Sequence, residues 1–175
     1  PVDVAVLVAP PARVRIKSGL SADGRLLARE CEIYLNTGAY ADAGPRVTQK
    51  AGYRALGPYR IPDVKVNAYC VYTNTVPAGA FRGFGSVQVA WAYESHMDLI
   101  AERLGLDPLE LRLKNLLKKG EPYTPGDTPV DCDLKEGLMK VAKALDWKAP
   151  SRANTGKGLS VCIKDAGGTF KIAGA

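Results

Sequence analysis

"RVRIKSGLSADGRLLARECEIYLNTGAY", residues 13–40, decides the first layer of the fold. Asp23-Gly24 at its middle is turn chemistry, because the tight left-handed backbone of a short hairpin suits this pair and few others. The arm after the turn alternates: Cys31, Ile33 and Leu35 face one way, Glu30 and Glu32 the other. The segment reads as a β-hairpin with one face on a core and one in water. Further on, "DVKVNAYCVYT" (63–73) alternates through Val64, Val66, Ala68, Cys70 and Tyr72 and reads as a third strand. Residues 36–62 mix glycine, proline, alanine and tyrosine without a usable period and read as a long loop, a feature that in a compact domain is commonly functional or mobile.

Beyond the strands the period changes. A helix is expected from about Val87 to Leu104, with Val87, Ala90, Trp91, Met97, Ile100, Ala101 and Leu104 as its apolar stripe and Gly105 as its stop. "DPLELRLKNLLKKG" (107–120) reads as a second helix: Asp107 caps it, Pro108 takes the first turn, Glu110 completes a capping box and Gly120 ends it. Arg112 in it reads as a surface charge. A Gly/Pro-rich connector, "GEPYTPGDTP", leads to a third helix that starts at Asp133 and presents Leu134, Leu138, Val141 and Leu145 on one face. A polar linker (149–157) and a short strand, "GLSVCIK", follow. The class is α+β, with a first region over 1–148 and the start of a second over 149–175.

Composition bounds the function. The 175 residues include 24 Lys and Arg against 18 Asp and Glu, net +6, with 46% apolar residues: a globular chain long enough to bury a core. No apolar run is long enough to span a bilayer and no signal sequence precedes the strands. The cations are scattered, which argues against nucleic acid. Cys31, Cys70, Cys132 and Cys162 show no CxxC pair and no histidine partners, so they read as reduced, mostly buried thiols rather than a zinc or iron–sulfur site, and a cytoplasmic protein is expected. His96, the only histidine, lies near Glu94 and Asp98, but positions two apart on a helix do not converge on a metal, so its role reads as structural. The chain starts at Pro1 and stops after "GGTFKIAGA", so it reads as a piece of something larger.

The stretch that carries chemistry is "PAGAFRGFGSVQ", residues 77–88. Gly79, Gly83 and Gly85 let a backbone approach a ligand closely. The following helix points its free N–H groups and positive dipole end back at the loop, and Arg82 adds a planar cation suited to phosphate or carboxylate oxygens. Phe81 and Phe84 flank it, one placed to anchor the loop and the other to offer a ring face. Two readings stand at this point: an anion site for a phosphorylated cofactor, or a tight strand-to-helix turn with buried rings and a solvated arginine. The spacing fits neither a dinucleotide-binding glycine motif nor a P-loop.

Residues 73–126, "TNTVPAGAFRGFGSVQVAWAYESHMDLIAERLGLDPLELRLKNLLKKGEPYTPG", resemble the molybdopterin-binding large subunit of the xanthine dehydrogenase and aldehyde oxidase family. The resemblance rests on Thr73-Asn74, "AFRGFG" with Gln88, and "E…MD…A…LG.DP.E.R..N" in order. Weaker likeness extends through "KSGLSADGRLLARECEIYLNTGAYAD", "YRIPDV" and "GKGLSVCI". It implies an oxidoreductase that hydroxylates a heterocycle or oxidises an aldehyde with a molybdenum–molybdopterin cofactor, of which a cytosine dinucleotide form is common in bacterial relatives. It implies that Ala80, Phe81, Arg82 and Gly83 lie against the cofactor and that Phe84 stacks on a flat, purine-like substrate. An ungapped alignment of "YRIPD" puts Lys50 where purine-oxidising members carry a substrate-binding arginine, with Arg54 close by; this departure puts xanthine itself in doubt.

The resemblance further implies that the catalytic glutamate lies beyond Ala175, that no residue here ligates the metal directly, and that the piece is inactive alone. FAD and 2Fe-2S clusters would sit on other domains or subunits. The partners implied are the remainder of the large subunit, the iron–sulfur and flavin parts, a small-molecule substrate and a second copy in a homo-oligomer, with neither nucleic acid nor membrane. The rival reading is a non-catalytic α+β interaction module that kept the scaffold without the cofactor; a third is an anion-binding module for a nucleotide or nucleic acid.

Overall fold

The computed structural model describes residues 9–124 and 127–163. The expected hairpin forms β1 (Ala12–Leu20) and β2 (Leu26–Gly38), antiparallel, with Arg13 opposite Tyr34 and Ile16 opposite Cys31. Gly24 takes φ 82° in the turn, where Ser21 Oγ bonds Asp23 and the Arg25 N–H. Cys31, Ile33 and Leu35 are fully buried on the inner face as the alternation requires, each burial worth roughly 1.5–3 kcal/mol for the larger side chains. The third strand, β3 (Asp63–Tyr72), runs parallel to β2 and completes a mixed sheet ordered β1-β2-β3.

A parallel neighbour needs a crossover, and the crossover is a helix. The stretch read as a loop over 36–62 holds α1 (Gly44–Arg54), with Pro45 in its first turn and Val47 and Ala51 buried. Its period is obscured because Lys50 and Arg54, cations that normally mark a solvent face, are also buried. At Gly44 an added Cβ would lie 2.0 Å from Thr37 Oγ1, so only glycine lets α1 start against β2.

The next helix, α2 (Ser86–Leu104), ends as expected at Gly105, left-handed at φ 63°. Its buried face is only partly the expected stripe. Met97, Ile100 and Ala101 are buried together with Val89, Tyr93 and Glu94, whereas Val87, Trp91 and Leu104 are exposed. The short helix α3 (Pro108–Asn115) is capped by Asp107, whose carboxylate accepts from Leu109 N at 2.7 Å. It stops at Asn115, before the expected Gly120. There the chain turns extended and bonds the segment after α1: Arg60 N donates to Asn115 O at 2.8 Å and Leu117 N to Pro58 O at 2.9 Å. Asn115 also ties the hairpin turn down, accepting from Leu26 N at 2.8 Å and donating to Gly24 O at 2.9 Å.

The last helix, α4 (Leu134–Ala144), is capped by Asp133 through Glu136 N at 2.9 Å. Leu138 and Ala142 are buried, whereas Val141 and Leu145, expected on the inner face, are exposed. Residues 158–163 of the expected terminal strand form no strand; Val161 N donates instead to the Glu94 carboxylate at 3.0 Å. Pro125 and Gly126 of the connector lie outside the described residues, as do residues 164–175 of the region read as a second unit. Cys31 is buried and Cys70 half-buried, but Cys132 and Cys162 are exposed, so the thiols are not mostly buried. No helix among the described residues is long and apolar enough to cross a membrane.

Candidate functional site

The glycine–arginine loop joins the end of β3 to α2 across the mouth of the crossover. Ala78 N donates to Thr37 O at 3.0 Å, which fastens the loop to the end of β2. Three consecutive residues then take left-handed backbone: Gly83 (φ 96°), Phe84 (φ 50°) and Gly85 (φ 85°). An added Cβ at Gly83 would sit 2.3 Å from Val87 Cγ2, and at Gly85 2.5 Å from Val47 O of α1. The glycines are therefore required by close packing of the loop on α1 and on the first turn of α2. Phe84, a ring-bearing residue in a left-handed conformation, is the kind of strained position that surrounding packing must hold in place.

That packing sorts the loop's side chains. Phe84 is half-buried against the main core, while Phe81 is 55% exposed and Ala80 and Arg82 lie open to solvent. Phe84 thus serves as the anchor and Phe81 offers the freer ring. Gly85 occupies the N-cap of α2 and has no side chain with which to cap it. The next residue, Ser86, has a buried hydroxyl with no hydrogen-bond partner. An uncapped helix N-terminus, an orphaned buried hydroxyl and an exposed guanidinium within a few residues fit a group that brings anionic or acceptor oxygens, as a phosphorylated pterin does.

Lys50 and Arg54 approach from α1. Gly85 packs 3.2 Å (added Cβ) from Ala51 Cβ, which sets the turn carrying Lys50 against the loop. Lys50 is 8% exposed, with its Nζ 5.6 Å from the centre of the Tyr53 ring. Arg54 is sandwiched between Tyr53 and Tyr123, 4.9 and 4.7 Å from the ring centres. That clamp gives Arg54 a packing role.

Sequence reasoning missed a second buried polar cluster. Arg112, read as a surface charge, is fully buried. Its Nε bonds Glu94 Oε2 at 2.9 Å, and its Nη1 meets Asp98 at 2.8 Å. Glu94 also accepts from Tyr59 Oη at 2.5 Å and from Val161 N at 3.0 Å. Burial, and next the Glu94 charge, pushes the Tyr59 hydroxyl well above its ordinary range, so it remains a donor. One carboxylate thereby joins α2, α3, the segment after α1 and residues 158–163. The only signal for it is Glu94 itself, a charge between the buried Tyr93 and Met97 on the inner side of α2. His96 bonds Ser18 Oγ at 3.1 Å, and burial drives its pKa down to about 4, so it is neutral. No group of His, Cys, Asp and Glu side chains among the described residues could hold a metal.

Residues 5–116 match the family described as molybdopterin cofactor-binding domain. The chain is 37% identical over 164 residues to a probable xanthine dehydrogenase subunit of Bacillus subtilis, covering 94% of this chain and 22% of that protein. It is 41% identical over 139 residues to the nicotinate dehydrogenase large molybdopterin subunit of Eubacterium barkeri, covering 79% of this chain and 32% of that one. Among solved structures, the aldehyde oxidoreductase from Desulfovibrio gigas superposes with a TM-score of 0.61 at 29% identity, over 82% of this chain and 16% of its own. The chain spans about a third or less of the length of these relatives.

Proposed function

The chain belongs to the molybdopterin cofactor-binding domain family, and from that premise we propose that it forms one wall of the cofactor and substrate site in the large subunit of a molybdenum hydroxylase. The observation that carries the reading is the loop 80–85. It lies within the matched region, its glycines admit no side chain, and it exposes in Arg82 a guanidinium suited to anionic oxygens.

On this reading Ala80, Phe81, Arg82 and Gly83 hold the molybdenum–molybdopterin cofactor. The bound cofactor supplies the redox chemistry, removing two electrons from a substrate that gains an oxygen. Arg82 neutralises anionic oxygens, and the uncapped start of α2 adds backbone donors. The half-buried ring of Phe84 stacks on a flat substrate and excludes water from it, while Lys50 orients an electron-rich edge or a carboxylate as a single-point cation. The relatives named for xanthine and nicotinate support an aromatic N-heterocycle, and the aldehyde oxidoreductase supports an aldehyde.

The catalytic base, FAD and 2Fe-2S clusters belong to other parts of the full enzyme. The rest of the proposal is a cytosine dinucleotide form of the pterin, a cytoplasmic homo-oligomer and no activity in this piece alone. The test is molybdenum per polypeptide in the native subunit that contains this sequence. About one metal per chain is expected, and Arg82→Ala is expected to lower it roughly tenfold through loss of a charged hydrogen-bond donor. Native protein free of molybdenum would leave the scaffold as an interaction module.

A further inference from the structure

The root of the glycine–arginine loop is tied down by side chains outside the cofactor and substrate contacts. Asn36, near the end of β2, accepts through Oδ1 from the Gly38 N–H at 2.7 Å and from Thr73 Oγ1 at 2.6 Å. Its Nδ2 donates to Thr75 Oγ1 at 3.1 Å, and the two threonine hydroxyls lie 2.8 Å apart. A hydroxyl has one proton, and that of Thr73 is spent on Asn36, so Thr75 donates to Thr73. The three side chains close a ring in which each donates and each accepts. The Gly38 N–H fixes which end of the Asn36 amide is the oxygen, and the amide supplies both the acceptor and the donor that the ring needs.

Backbone bonds carry the register of this ring into the loop. Thr73 N donates to Gly38 O at 3.0 Å, Ala39 N to Thr75 O at 3.2 Å and Ala78 N to Thr37 O at 3.0 Å. Residues 73–78 thus lie across 37–39, so closely that a Cβ on Gly38 would stand 2.4 Å from Val76 O. From the same end of β2 the buried Thr37 hydroxyl reaches the other way, to Tyr40 O at 3.1 Å and Ala41 O at 3.0 Å, just before α1 starts. The end of β2 therefore holds both the root of the loop and the start of the helix on which the loop's far end, Gly85, rests. We propose that Asn36 and Thr73 are positioning residues for the cofactor loop: their ring holds residues 78–85 in one register on β2 and α1, and with it the placement of Arg82 and Phe84. This rests on the reading of residues 80–83 as cofactor contacts. Asn36 and Thr73 act through Ala78 rather than on a ligand.

The test uses the complete subunit and a pair of substitutions at one position. Thr73→Val keeps the shape and removes the hydroxyl, whereas Thr73→Ser keeps the hydroxyl. Asn36→Ala opens the ring from the other strand and is expected to repeat the Thr73→Val pattern. Asp133→Ala uncaps α4, away from the loop, and supplies a general loss of stability for comparison. A lost neutral hydrogen bond corresponds to roughly two- to tenfold in an equilibrium. Thr73→Val is expected to speed amide hydrogen exchange at Ala78 by roughly that factor, to lower molybdenum per polypeptide, and to leave exchange in α4 unchanged. Thr73→Ser is expected to restore both properties, and Asp133→Ala to leave both at the wild-type value. Unchanged exchange at Ala78 in Thr73→Val and Asn36→Ala, or an equal loss of molybdenum in Asp133→Ala, overturns the positioning role. The two readings fail separately. A wild-type subunit without molybdenum overturns the cofactor reading and leaves the anchoring of the loop to be decided at Ala78. Molybdenum retained in full by Thr73→Val overturns the positioning role alone.

Discussion

Two arginines thirty residues apart show how differently one charge can be used. Arg82 stands on an exposed loop, flanked by strained backbone and beside a helix end with no capping side chain. Arg112 is fully buried, with its nitrogens spent on Glu94, Asp98 and the Pro108 carbonyl. The first leaves its bonding capacity to a ligand; the second uses its own to hold helices together. The contrast is sharp because Arg112 reads as a surface charge in the sequence and is buried in the fold, while Arg82 lies in solvent. A buried, satisfied ion pair is worth little over a well-packed apolar pair, but breaking one leaves an uncompensated charge, and that asymmetry makes the contrast measurable.

The largest expected effect is at the buried end. Glu94→Ala leaves Tyr59 without its acceptor and buried Arg112 with only the exposed Asp98 as counter-charge, and should destabilise the protein by about 3–5 kcal/mol. Its thermal midpoint in the purified subunit should fall by roughly 6–20 °C at this domain size. A fall of under two degrees would make the knot ornamental and dissolve the comparison. Next is Gly85→Ala, which puts a Cβ against Val47 O in a left-handed backbone. It should cost about 2–4 kcal/mol in the same measurement.

At the exposed end, Arg82→Ala should change stability by no more than about 0.5 kcal/mol while depleting bound molybdenum. A large stability loss with full metal content would reverse the roles of the two arginines. Lys50→Ala, read in the complete enzyme, should raise KM for an anionic or electron-rich heterocycle more than it lowers kcat, by roughly tenfold for a lost charged contact.

A further effect concerns pH. His96 is neutral when folded, with its pKa lowered from 6.5 to about 4 by burial, so the unfolded chain binds a proton that the folded chain refuses. Stability from this group is present in full above pH 6.5 and is lost as pH falls towards 4. Denaturant midpoints across that window should drop, and His96→Gln should flatten the drop.

Strong local codes are legible in the sequence. Asp23-Gly24, the alternation through Cys31, Ile33 and Leu35, and the caps at Asp107 and Asp133 predict elements that the fold contains. The glycine loop is legible too, because its residue types answer to a steric demand. What escapes is set by partners distant in sequence. Helix α1 is hidden because Lys50 and Arg54 point inward to aromatic rings, and α3 ends early because residues 58–60 bond to it. Trp91 shows the opposite failure. The periodicity of α2 expects it to be buried, and nothing among the described residues covers it.

Asn115 adds a consequence in time. It closes the hairpin turn through Gly24, which precedes it by 91 residues. At ribosomal speeds of about 5–20 residues per second, the turn is made roughly 5–20 s before the side chain that locks it exists. Throughout that interval the nascent hairpin turn must stay unlocked, even after the helices that cover its apolar face have been made.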